Sequence, residues 1–128
     1  MVLDTSAIVA ILLSEPEAET FEREIAVDRI RLVAATCVLE ARMVLVGRRG
    51  EHALAEIDLF LAKIRAEVVP VDADLVEFAT QAWLAYGKGR QPAALNFADC
   101  FSYALAKRSG EPLLFKGDDF SKTDIPAA

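Results

Sequence analysis

The residues of this chain best able to do chemistry are carboxylates, and five of them stand in unusual company. Asp4 lies between Leu3 and the apolar run of residues 7–13. Glu40 falls within Cys37-Val38-Leu39-Glu40-Ala41, and Asp99 within Leu95-Asn96-Phe97-Ala98-Asp99-Cys100-Phe101. Asp118 and Asp119 follow Pro112-Leu113-Leu114-Phe115-Lys116-Gly117. Burying a carboxylate without a partner costs several kcal/mol, so each needs one. Local partners exist for all five. Asp4 suits the N-cap of a following helix. Glu40 has Arg42 and Arg48 nearby, and Asp99 has Asn96 and Tyr103 at helical spacing. Asp118 and Asp119 sit where a turn accepts aspartate.

The elements that position these acids are legible from periodicity. Residues 2–4 read as a strand, with a helix from Ser6. Glu15-Pro16-Glu17 opens a second helix, whose Ala18, Phe21 and Ile25 form an inward stripe. Residues 31–35 read as a strand, and Thr36 as the N-cap of a helix over 37–46 ended by Gly47-Arg48-Arg49-Gly50. A helix over 51–65 places Leu54, Ile57, Leu61 and Ile64 on one face. Residues 68–71 form a strand whose Pro70 marks an edge or an end. Asp72 caps a helix with a stripe of Leu75, Phe78, Ala79, Ala82, Trp83 and Tyr86. After the loop 87–92 comes a helix over 93–109, stopped by Gly110, then a strand over 112–115. Strands alternating with helices predict a parallel sheet with helical crossovers, an α/β sandwich in a single domain over residues 1–128.

In open parallel sheets, ligands bind beyond the carboxyl ends of the strands. Asp4, Glu40, Asp118 and Asp119 all follow strands closely, and Asp99 joins them from a helix. Carboxylates gathered there would repel one another, and a divalent cation resolves the conflict. An all-oxygen donor set without His or Cys suits Mg²⁺ or Mn²⁺ rather than zinc. There is no GxxxxGK[ST] cradle for nucleotide phosphates, so the cluster points to phosphodiester hydrolysis. The single histidine, His52, has no carboxylate motif near it, which disfavours a Ser-His-Asp triad.

Bulk properties narrow the class further. With 128 residues, 54% of them hydrophobic, the chain can bury one sizeable core. The apolar run 7–13 is too short to span a bilayer and follows an acid rather than a basic region. A soluble cytoplasmic protein is expected, with Cys37 and Cys100 as buried thiols. The net charge of −6 argues against a wholly basic nucleic-acid surface but says little about one face.

Four segments together resemble the PIN-domain family, and more narrowly the VapC-type toxins of type II toxin–antitoxin systems. They are Val2-Leu3-Asp4-Thr5-Ser6-Ala7, Ala34-Ala35-Thr36-Cys37-Val38-Leu39-Glu40-Ala41, residues 95–107, and residues 112–120 with Thr123-Asp124-Ile125. The resemblance spans nearly the whole chain in motif order. It implies an α/β/α sandwich with a central parallel sheet, usually dimeric. It also implies a Mg²⁺- or Mn²⁺-dependent endoribonuclease, often acting on tRNA or rRNA and inhibited by a cognate antitoxin. Carried over by position, Asp4, Glu40 and Asp99 are the metal-binding and catalytic acids. Asp118 matches the fourth position, and Asp119 ranks behind it. Thr5, Ser6 and Asn96 are supporting residues that orient an acid or a metal-bound water.

Arg42, Arg48, Arg49, Lys88, Arg90 and Lys116 cluster in sequence near these acids and are the expected phosphate contacts. The apolar run 7–13 and the Ala18/Phe21/Ile25 stripe are candidate antitoxin surfaces, with core packing as the alternative. Two other functions remain. One is a PIN fold that only binds. The other is a Mg²⁺-dependent receiver-like phosphoacceptor, which needs an acidic pair after the first strand where this chain has Asp4 alone.

Overall fold

Val2 and Leu3 are fully enclosed, and the sheet is built outward from them. The computed structural model describes residues 1–89 and 92–128. In chain order the elements are β1 (Val2–Leu3), α1 (Thr5–Leu12), α2 (Ala18–Val27), β2 (Leu32–Ala34), α3 (Ala35–Arg49), α4 (Ala53–Lys63), β3 (Glu67–Val69), α5 (Ala73–Tyr86), α6 (Phe97–Ser109) and β4 (Leu113–Leu114). A short 3-10 turn, Phe120–Lys122, follows. Among the described residues the sheet has four strands in the order β3-β2-β1-β4, all pairs parallel. Val2 pairs with Leu32 on one side and Leu113 on the other. Helices flank the sheet, so the predicted α/β/α sandwich is the observed fold.

Parallel pairing has a functional consequence. Every strand ends on the same side of the molecule, so the segments leaving β1, β2 and β4 start from one rim. One core cluster runs from β1 through Ile8, Leu45, Ile57 and Leu75 to Leu105 and Leu113. The run 7–13 and the Phe21/Ile25 stripe belong to it: Ala7, Ile8 and Ala10 are fully buried, and Phe21 and Ile25 nearly so. Neither is therefore an open surface for a partner. No helix among the described residues is long and apolar enough to cross a membrane. Cys37 and Cys100 are buried free thiols.

Several boundaries differ from the sequence reading, each for a physical reason. α3 begins at Ala35 with Ala34 as its N-cap, so Thr36 lies inside the first turn and its buried Oγ1 has no partner among the described residues. α3 runs through Gly47 to Arg49, and Gly50 ends it at φ +89°, a conformation open to glycine. α6 starts at Phe97 rather than at 93. Before it, Leu95 pairs with Gly87 in an isolated parallel bridge, and the chain turns through Ala94 at φ +54°. Gly87 is required there, since a Cβ would come within 2.4 Å of the Trp83 ring and carbonyl. Leu54 and Trp83, expected on inward faces, are 38% and 45% exposed.

Candidate active site

The end of β1 is held by its own side-chain chemistry. Asp4 is 3% exposed and caps α1. Its Oδ2 accepts from the Ser6 amide at 2.9 Å and the Ser6 hydroxyl at 2.6 Å. Its Oδ1 accepts from the Ser102 hydroxyl at 2.5 Å. Among the described residues no basic side chain pairs with Asp4, so amide and hydroxyl donors alone stabilise a buried carboxylate. Capping and site membership are thus compatible uses of the same group.

The other acids arrive from separate elements. Glu40, on α3 after β2, is half-buried, and Thr5 donates to its Oε2 at 3.3 Å. Burial raises its pKa above the usual carboxylate range, the Asp4 charge adds to that, and the Thr5 hydrogen bond opposes it. Asp99 closes a capping box at the start of α6. Its carboxylate accepts from the Asn96 amide at 2.8 Å, and the Asn96 side chain accepts from the Asp99 amide at 2.9 Å. Burial pushes Asp99 up to about 6, helped by the charges of Asp4, Asp119 and Glu40 against the Asn96 hydrogen bond. Asp118 and Asp119 are exposed in the turn after β4. It is Asp119, ranked second from sequence, whose charge bears on Asp99. The Asp118 carbonyl accepts from the Ser121 amide and hydroxyl, shaping the turn.

The supporting residues divide. Thr5 links β1 to Glu40, and its hydroxyl also lies 3.3 Å from the Cys37 carbonyl. The Ser6 hydroxyl accepts from the Lys116 amide at 2.9 Å, tying Asp4 to the β4 turn. Asn96 is the N-cap of α6 rather than a residue of its face, so its side-chain oxygen is spent on the helix end. Tyr103, expected beside Asp99, donates instead to Asp124 at 2.6 Å. Ser102 was absent from the sequence-based set. Its only signal is its place three residues after Asp99, on the same helical face.

The proposed basic rim is mostly engaged. Arg42 pairs with Asp58 at 2.6 Å, Arg49 with Glu56 at 2.9 Å, and Lys116 with Glu15 at 2.5 Å and Glu17 at 3.2 Å. Arg48 and Lys88 are exposed. Arg90 lies outside the described residues.

The donor chemistry around Asp4 is all-oxygen and carries uncompensated negative charge, which suits a hard divalent cation. Among the described residues, however, no three acidic, His or Cys side chains are placed as they stand to hold a metal together. The carboxylates of Asp4 and Asp99 are meanwhile engaged by hydroxyl and amide donors of Ser6, Ser102 and Asn96. Mg²⁺ keeps several waters and needs only one or two carboxylates with substrate phosphate, so the residues still fit that ion.

The family model described as PIN domain matches residues 1–126. The chain belongs to the PIN-domain family. Within it, the relatives are VapC proteins. The VapC ribonuclease Mb0640 of Mycobacterium bovis is 51% identical over 125 residues, 98% of this chain and 95% of that one. Ribonuclease VapC of Mycolicibacterium smegmatis is 50% identical over 127 residues, covering 99% and 98%. The fold of this PIN domain matches Mycobacterium tuberculosis VapC20, a solved structure described as a Sarcin-Ricin loop cleaving toxin. The TM-score is 0.79 at 22% identity, over 99% of this chain and 97% of that one. A toxin–antitoxin complex from Klebsiella pneumoniae matches at TM-score 0.72 and 17% identity, over 96% and 92%.

Proposed function

We propose that this PIN-domain protein is the ribonuclease toxin of a toxin–antitoxin pair, cutting RNA internally with the help of Mg²⁺ or Mn²⁺. One observation carries the reading. Asp4, Glu40, Asp99 and Asp119 load one end of a parallel sheet with negative charge, which adds to burial in raising Asp99 to about 6, and among the described residues none of them is paired with a cation. A fold needing only stability would not keep that arrangement. Asp4, Glu40 and Asp99, with Asp119 or Asp118, are the residues that would hold the ion. When bound, it would activate water and stabilise the charge that develops on phosphate. Thr5, Ser6 and Ser102 direct the acid side chains toward it, and Arg48 and Lys88 remain available for phosphates. Structured RNA such as tRNA or rRNA is the proposed substrate class.

Two partners complete the proposal. Leu39, Met43 and Phe97 are 58%, 67% and 77% exposed and line one groove with Glu40, and a second copy of the chain is the proposed cover for this face. A groove between α2 and α4 is lined by Ile64, Arg31, Lys63, Arg65 and one acid, Glu22, over the buried Ile25 and Phe60. On an acidic chain, that cationic lining suits an acidic amphipathic segment of an antitoxin. The test of the activity is RNA cleavage by purified protein with Mg²⁺, Mn²⁺ or EDTA. Wild type is expected to cleave only with metal, and Asp4→Asn not at all. Cleavage by Asp4→Asn at the wild-type rate would sink the reading.

A further inference from the structure

Asp4 cannot aim itself. It caps α1 through Oδ2, which takes both the amide and the hydroxyl of Ser6, and these contacts hold only one of its two oxygens. The second oxygen is fixed by Ser102, which is fully buried and reaches Oδ1 from 98 residues away in sequence. At 2.5 Å this is a short hydroxyl–carboxylate bond of the charge-assisted kind.

A third side chain lies against Ser102. Cys37 Sγ lies 3.1 Å from Ser102 Oγ. Ser102 has one hydroxyl proton, and the Asp4 carboxylate, which can only accept, takes it. Ser102 can then only accept in the contact with Cys37, whose thiol also lies 3.8 Å from the Ala98 carbonyl. Burial pushes Cys37 up to about 12, so that it keeps its proton. The chain Cys37 to Ser102 to Asp4 runs from α3 through α6 to the end of β1. Cys37 lies three residues before Glu40, and Ser102 three after Asp99. One buried hydroxyl thus fastens together the three elements that carry the three acids.

We infer that Ser102 is a positioning residue for the reaction, fixing the Asp4 carboxylate so that its remaining lone pairs face Glu40 and Asp99. This rests on the reading that Asp4 helps to hold the metal. The simpler role, satisfying a buried carboxylate for the sake of the fold, predicts a different pattern of effects.

The experiment compares wild type, Ser102→Ala, Ser102→Thr, Asp4→Asn and the Asp4→Asn/Ser102→Ala double variant. Mn²⁺ binding is read by calorimetry on metal-free protein, kcat and KM on one RNA, and melting temperature on all five. Residues behind a metal ligand typically change affinity or activity by about 10- to 100-fold, and that loss is expected in Mn²⁺ affinity and kcat for Ser102→Ala. KM should stay close to wild type, the melting temperature should fall because a buried carboxylate loses a donor, and Ser102→Thr, which keeps the hydroxyl, should recover most of both losses. In the Asp4→Asn background, removing the hydroxyl should change Mn²⁺ binding no further. Wild-type Mn²⁺ affinity in Ser102→Ala would overturn the inference. So would a loss as large with Asp4→Asn as without it, or a loss seen only where the variant has begun to melt. Should Ser102→Ala not fold, Ser102→Thr decides: Mn²⁺ affinity well below wild type despite the retained hydroxyl overturns the inference. If wild type itself binds no Mn²⁺, the metal-dependent reading fails with it, an outcome distinct from a wild type that binds and a Ser102→Ala that binds equally well.

Discussion

The central strand carries a buried charge at each end, and the two are treated in opposite ways. At the start of β1, the ammonium of Met1 meets Asp28 at 2.9 Å, Glu111 at 3.0 Å and the Ile30 carbonyl at 2.6 Å. That charge is closed by opposite charge. At the far end, three residues on, Asp4 has among the described residues only hydroxyl and amide donors and faces further acids. The first arrangement ties α2, β2 and β4 to the sheet and leaves nothing over for chemistry. The second is a standing electrostatic cost, which the fold tolerates because Ser6, Ser102 and the capping of α1 offset part of it.

Exchanging charges at the two ends should separate function from stability. At the open end, Asp4→Asn or Asp99→Asn removes a carboxylate without changing its shape. Loss of transition-state stabilisation worth several kcal/mol is a fall of about a hundredfold or more in RNA cleavage. Melting temperature should hold or rise, because like-charge repulsion is relieved. Rates near wild type in both variants would make the open end a structural oddity.

Acidity probes the same end without mutation. Asp99 is held up at about 6, above the ordinary aspartate range near 4. Between these values the folded protein binds more protons than the unfolded chain, so stability falls as pH rises. The contribution is fully present below about pH 4 and lost once pH passes through about 6, with a size of order 1–3 kcal/mol. Urea melts of metal-free protein from pH 4.5 to 7.5, as approximate set points, should show this slope on top of the opposite contributions of acids such as Asp28. The slope should shrink in Asp99→Asn to what Glu40, also raised by burial, contributes, and should flatten with Mg²⁺.

The closed end should behave in reverse. Asp28→Ala or Glu111→Ala leaves a poorly solvated ammonium with one partner fewer. A destabilisation of about 1–2 kcal/mol is expected in urea melts, moderated because both acids are partly exposed. RNA cleavage per folded molecule should not change. A loss of cleavage at full stability would mean the two ends are coupled through β1.

The contrast was half visible in the sequence. Asp4 stood out because an acid directly after an apolar strand is costly, and the alternation of strands and helices brought Glu40 and the β4 turn to its side. The closed end was not visible, since Met1, Asp28 and Glu111 lie far apart and nothing local joins them. Ser102 was hidden for a similar reason: within Phe101-Ser102-Tyr103-Ala104 it reads as a small residue in an apolar helix, and its partner is 98 positions away. The start of α6 was misjudged because Ala93, Ala94 and Leu95 have helical composition. A bridge from Leu95 to Gly87 and the Asn96 capping box override it. Thr36 is a good cap by type, yet β2 hands over to α3 at Ala34, before Thr36 is reached.

The smallest expected effects lie between the two ends, on the surface. Arg42, Arg49 and Lys116 were expected to meet phosphate, and each is instead paired with a carboxylate of its own chain. Exposed pairs of this kind contribute about 0–1 kcal/mol, so phosphate can compete for the cation at little cost to the fold. Removing the acid rather than the base tests this directly. Asp58→Asn frees Arg42 and should tighten RNA binding by a few-fold, about 0.5–1 kcal/mol, with the salt dependence steepened by roughly one phosphate contact. Arg42→Ala should weaken binding by a similar factor and flatten the salt slope. If neither variant alters RNA affinity between about 50 and 200 mM salt, the Arg42 pair is part of the scaffold. Phosphate recognition then falls to Arg48 and Lys88, which are exposed.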